Sequence, residues 1–149
     1  MEKIYGLVAD ELNGEGINAE TYTADDGTQV LRLTSGQMGF DRDGTVLTEL
    51  EQMEINDKNH CYFQINTVIA KEIPREAYPK ILMNLNAMNI RSVMGYYGIL
   101  DDMGLLYHRY VAKFLNASDE QLAAELVEII FDVLGVVSTD FDDVFEALG

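Results

Sequence analysis

From residue 61 to residue 69 the chain alternates. Cys61, Phe63, Ile65, Thr67 and Ile69 fall in one set, and Tyr62, Gln64, Asn66 and Val68 in the other. A period of two belongs to extended backbone, whose successive side chains point to opposite faces, and one mainly apolar set predicts a sheet covered firmly on one side. The residues before it carry the turns such a sheet needs. Asp25-Asp26-Gly27 stands between the runs 18–23 and 29–33, and Asp41-Arg42-Asp43-Gly44 separates 37–40 from 45–50. Asp-Gly between β-prone runs is a hairpin signal. Residues 17–70 therefore read as an antiparallel meander of about four strands.

Helices flank and interrupt this sheet. Ile4, Leu7, Val8 and Leu12 lie at helical spacing, and Asn13-Gly14-Glu15-Gly16 ends that helix. Ala77, Ile81, Leu85 and Met88 form a second stripe, with Tyr78 and Leu82 beside it. Pro79 is tolerated only in a first turn, so this helix begins no earlier than about Glu76, and Asn89 is its expected stop. Ser118-Asp119-Glu120-Gln121 is a capping box opening a last helix, whose buried face is Leu122, Leu126, Ile129, Ile130, Val133 and Leu134. Gly135 is placed to break or bend it, and Phe141, Val144, Phe145 and Leu148 continue the stripe.

Between these helices lies a hairpin, 92–100 returning as 105–111 around Asp101-Asp102-Met103-Gly104. Strand alternation puts Val93, Tyr97 and Ile99 on one face and Met94, Tyr96 and Leu100 on the other. A strand apolar on both faces should be covered on both. The second cover is either the N-terminal helix, making ordinary core, or another subunit, making Met94, Tyr96 and Leu100 a partner or dimer surface; aromatic residues and Met are enriched in such interfaces.

The order α-β-β-β-β-α-β-β-α defines an α+β chain, and it resembles the YbjN-type and type III secretion chaperone-like proteins. The most telling stretch is Ile81-Leu82-Met83-Asn84-Leu85-Asn86, similar to that family's helix ending in Leu-Asn, with the hairpin and the capped helix following as they would there. The resemblance spans 1–149 as one secretion chaperone-like sandwich domain. It implies frequent homodimers and no known catalytic residues. Some members chaperone secreted effectors, and others are described as sensory-transduction regulators.

Charge narrows the partners. The 149 residues hold 10 Lys and Arg against 26 Asp and Glu, a net charge of −16, so the cations needed for phosphate contacts are scarce and no nucleic-acid partner is expected. After Lys113 nine acids follow without a cation, either a solvated helix face or a surface that attracts basic partners. No apolar run approaches the roughly 20 residues of a membrane span, and the N-terminus is too acidic for a signal peptide. The expectation is a cytoplasmic protein without a membrane partner.

Candidates for chemistry are few. A lone Cys61 excludes a disulfide framework and a multi-Cys metal site, and its register with Phe63 and Ile65 points it into the core as an inert thiol. His60 sits beside a polar loop and His108 on a strand; without a defined carboxylate partner they make no zinc site. Asp41-Arg42-Asp43-Gly44 looks like the start of a calcium loop, but the twelfth position is Gln52. The acid pairs Asp25-Asp26, Asp101-Asp102 and Asp142-Asp143 read as solvated, and no glycine pattern forms a phosphate loop. No catalytic, cofactor or metal residue is expected. The sequence points to a non-enzymatic protein-binding or chaperone-like module, a homodimer that also takes a protein client. The alternatives are a sensory-transduction regulator or a small ligand-binding protein or enzyme with its site between sheet and helices.

Overall fold

The computed structural model describes residues 1–38 and 44–148. Helix α1 (Glu2–Gly14) buries Ile4, Tyr5, Val8, Ala9 and Leu12, one face at helical spacing. Strands β1 (Asn18–Thr23), β2 (Gln29–Met38), β3 (Gly44–Met53) and β4 (His60–Ala70) follow. A 3-10 turn (Arg75–Ala77) leads into α2 (Tyr78–Arg91), then β5 (Tyr96–Leu100), β6 (Leu105–Leu115) and α3 (Asp119–Leu148). The strands make one six-stranded sheet in the order β1-β2-β3-β4-β6-β5, with every pairing antiparallel. The fold is α+β, with the expected element order.

All three helices lie on one face of this sheet. Their buried side chains share a single cluster with Leu31, Leu33, Leu50, Phe63, Ile65 and Leu106, which are register partners or alternate residues on that face. β4 shows the expected alternation without a break, from half-buried His60 to buried Ile69. Each large side chain so buried contributes about 1.5–3 kcal/mol, and together they hold α3 along the sheet. The N-terminal helix therefore does not cover the second face of the late hairpin. It packs on α3 and on β1 instead, with Lys3 3.0 Å from Glu120.

Local details depart from the sequence reading where side chains compete with backbone period. α2 begins at Tyr78 with Pro79 in its first turn, as proline requires, but it passes Asn89 and ends at Arg91. β5 starts at Tyr96, not at residue 92. Gly95 takes φ +72° and the Ser92 hydroxyl lies 3.1 Å and 2.9 Å from the Met94 and Gly95 carbonyl oxygens, which turns the chain before extension begins. α3 runs unbroken through Gly135. A helical glycine costs about 1 kcal/mol, less than the burial of Leu126, Ile130, Val133, Val137 and Phe141 on either side returns. Ser118 accepts from the Gln121 backbone N–H at 3.2 Å, the cap expected there. The turn at Asp41-Arg42-Asp43, with Gly39 and Phe40, and the side chains of Phe145 and Leu148 lie outside the described residues. Among the described residues no helix is long and apolar enough to cross a membrane.

Candidate docking surface

The face of the sheet away from the helices is amphipathic, and its charges are settled within it. Arg32 lies 2.8 Å from Glu49 and 4.4 Å from the centre of the Tyr22 ring, whose hydroxyl also donates to Glu49. Arg109 donates to Gln64 at 3.1 Å, Gln64 donates to Glu51, and Lys113 sits over the Tyr62 ring. Cross-strand pairs of this kind suit a solvated face. Tyr96 and Leu100 project from it at 42% and 47% exposure, and Tyr96 meets Tyr107 edge-on.

Met94 does not join them. It lies in the turn before β5, half-buried against the core, so the structure separates it from the face assigned to Met94, Tyr96 and Leu100 together. Val93, expected on the Tyr97 face, is 89% exposed on the same turn. Leu82, expected beside the core stripe of α2, is exposed as well. These shifts disclose a surface that the sequence reading passed over. Pro79, Leu82, Met83 and Ile90 run along the outer side of α2, opposite Ile81, Leu85 and Met88, with Met83 at 77% and Ile90 at 78% exposure. Among the described residues, six of the twelve exposed large hydrophobic ones, Leu82, Met83, Ile90, Val93, Tyr96 and Leu100, fall within 78–100. Residues 77–100 contain Lys80 and Arg91 but no acid, in a chain where about one residue in six is acidic. Two signals were present in the sequence: a second apolar stripe on α2 at i, i+3, i+4 and i+11, and the gap in the acids.

The edge strand beside α2 is capped at Tyr97. β5 ends the sheet, and the Asn89 side chain meets its backbone twice, donating to the Tyr97 carbonyl at 2.9 Å and accepting from the Tyr97 N–H at 2.7 Å. Ser92 takes the Gly95 carbonyl and the Tyr78 hydroxyl donates to the Asp101 carbonyl at 3.1 Å. An incoming strand thus finds the Tyr97 backbone and the carbonyls on either side of β5 already engaged, one way in which native sheets discourage strand addition.

Behind β5 the core carries its polar residues in one register row. Thr48, Thr67 and His108, the buried polar residues among those described, are consecutive partners across β3, β4 and β6, and Tyr97 follows on β5. The Thr48 and Thr67 hydroxyls are 3.0 Å apart, the His108 and Tyr97 rings meet edge-on at 4.9 Å, and Tyr97 donates to Asp140 of α3 at 2.8 Å. Burial pushes the His108 pKa down and the Tyr97 pKa far up, the latter aided by Asp140. Neither ring lines the surface groove of about 520 Å³ between the 91–94 segment and α3; Asp140, the partner of Tyr97 on α3, does.

The other candidates take ordinary places. Cys61 is buried against the Phe114 carbonyl, and desolvation raises its thiol pKa. His60 does have a carboxylate partner, contrary to expectation: Asp57, three residues earlier in the polar loop, stands 3.1 Å from its Nδ1. Asp57 also accepts from the Asn59 N–H and the Tyr62 hydroxyl, and these donors hold its carboxyl at about 2. This cluster braces the β3–β4 loop. Among the described residues no three His, Cys, Asp or Glu side chains gather as a metal site. No family model matches the chain, and no curated protein matches it.

Proposed function

We propose that the protein is a non-enzymatic, cytoplasmic docking module that pairs with a second copy through the outer side of α2 and the adjoining end of β5, and so forms a chaperone-like platform for a protein client. The observation that carries this reading is the exposed apolar stripe Leu82, Met83, Ile90 and Val93 inside a stretch without acids. Two chains of net charge −16 repel, and they approach at least cost where neither presents a carboxylate. Acids further than a Debye length of about 8 Å from the contact are screened at physiological salt. The capped Tyr97 position on β5 favours helix-on-helix packing over a continuous intersubunit sheet. The nine acids after Lys113, which lie on α3, are then left to draw basic segments of the client. The non-enzymatic part rests on burial: His108 and Tyr97, the ring groups with displaced pKa values beside the groove, lie beneath the surface. The similarity to secretion chaperone-like proteins in the 81–86 stretch points the same way.

Light scattering tests the pairing. The wild-type chain should have twice its 16.7 kDa mass at micromolar concentration, and Met83→Glu with Ile90→Glu should halve it while the circular dichroism spectrum holds. A wild-type chain that stays monomeric throughout that range defeats the proposal.

A further inference from the structure

His108 is fully buried and its two ring nitrogens are unequal. Nε2 is 2.8 Å from the Met94 carbonyl, an acceptor only, so Nε2 carries the proton and the neutral tautomer is fixed. Nδ1 is buried and has no hydrogen-bond partner among the described residues. A second proton would therefore place a cation where nothing accepts its new N–H. The turn it holds is keyed to the ring. A Cβ on Gly95 would come within 2.8 Å of the imidazole and 2.3 Å of the Arg109 carbonyl oxygen, so the turn lies directly on His108. The groups facing the ring are Thr67 from β4, Tyr97 from β5, the Met94 carbonyl from the turn after α2, and Asp140 from α3. Asp140 is the carboxylate among them, and the Tyr97 hydroxyl already engages it.

We infer that His108 is an acid-sensitive latch: as the neutral imidazole it fastens the turn between α2 and β5, and its protonation releases that turn. Burial lowers the folded-state pKa below the ordinary value of 6.5, with the Met94 bond and Asp140 opposing only in part. The stability is present above about 6.5 and is lost as pH falls below it toward the folded pKa, because the opened state takes up the proton first. Val93 rides on the released turn, so acid would disorder one end of the docking stripe; that consequence alone rests on the docking reading.

Hydrogen exchange tests the latch directly. Protection factors of the Tyr96 and Tyr97 amides should fall about tenfold per pH unit below about 6.5, the slope of one-proton linkage. In His108→Gln, whose amide can donate to the Met94 carbonyl and does not titrate, they should stay level. Equal loss in the variant, or no loss in the wild type down to pH 5, overturns the inference. A second measurement needs no variant. Imidazole NMR of the wild type should show His108 staying neutral below pH 6.5, and the turn should open at the pH where the His108 signal finally moves. A His108 signal that titrates with the Tyr96 and Tyr97 amides still protected overturns it too. A chain that is monomeric at every pH removes the docking reading and leaves these measurements as they stand.

Discussion

The two edges of the sheet are built alike and finished differently. At one, α1 is followed by β1; at the other, α2 is followed by β5. In both, an asparagine near the helix C-terminus turns its side-chain amide onto the edge strand and pairs with one residue in both directions. Asn13 donates to the Ala19 carbonyl at 3.0 Å and accepts its N–H at 2.9 Å, as Asn89 does with Tyr97. In both, a glycine at positive φ, Gly16 at +85° and Gly95 at +72°, enters the strand. A side-chain amide has the donor and acceptor of a peptide, so each asparagine supplies the neighbour that the edge strand lacks. The outer sides then diverge. α1 presents Glu2, Lys3, Asp10 and Glu11 to solvent, whereas α2 presents Leu82, Met83 and Ile90. The same device that caps one residue of an edge strand is thus combined with a wetted helix at one end and an apolar one at the other. Edge protection and docking are separate properties, and the second resides on the helix.

The largest test of this likeness is at the glycines. Gly95→Ala meets both an unfavourable φ and the Arg109 carbonyl, and it should cost about 3 kcal/mol or more in urea unfolding. Gly16→Ala has open space around its Cβ and should cost only the left-handed penalty of about 1–2 kcal/mol. Equal costs would mean that the turn before β5 is not packed on His108. The asparagines come next. Asn13→Ala and Asn89→Ala each remove two hydrogen bonds to backbone and should each cost about 1–2 kcal/mol, with the Asn89 variant alone forming higher oligomers as its unsealed edge adjoins the apolar stripe. Equal oligomerisation of both variants would break the distinction between the two ends. The smallest effect on stability sharpens it most. Leu7→Glu on α1, where the side chain is in large part covered by α3, should cost about 1–2 kcal/mol without changing the mass in solution. Met83→Glu on α2 should change that mass and, compared at concentrations where both chains are monomeric, shift unfolding by no more than about 0.5 kcal/mol.

Much of the frame was legible because it depends on near neighbours. The alternation from Cys61 to Ile69 gave β4 and its buried face, Pro79 located the start of α2, and Ser118 marked the start of α3. The late hairpin was legible as a pair but not in its first residues. Its alternation ran on through Val93 and Met94, while the turn there is fixed by Ser92, by Gly95 and by a bond from His108 fourteen residues away. Asn89 looked like a helix stop because asparagine often ends helices, but here it remains helical and its side chain reaches β5. Of the surface residues chosen from sequence, Tyr96 and Leu100 are exposed and Met94 is not on their face.

The sequence by itself determined the elements, their order and the charge, since periodicity, proline, caps and turn residues act within a few positions of one another. Only the tertiary structure decided which side of α2 meets the core, that all three helices share one face of the sheet, and that His108 is sealed under a glycine turn. Those outcomes depend on side chains brought together from distant parts of the chain. A helix with two apolar stripes carries no local mark of which one a neighbouring strand will cover.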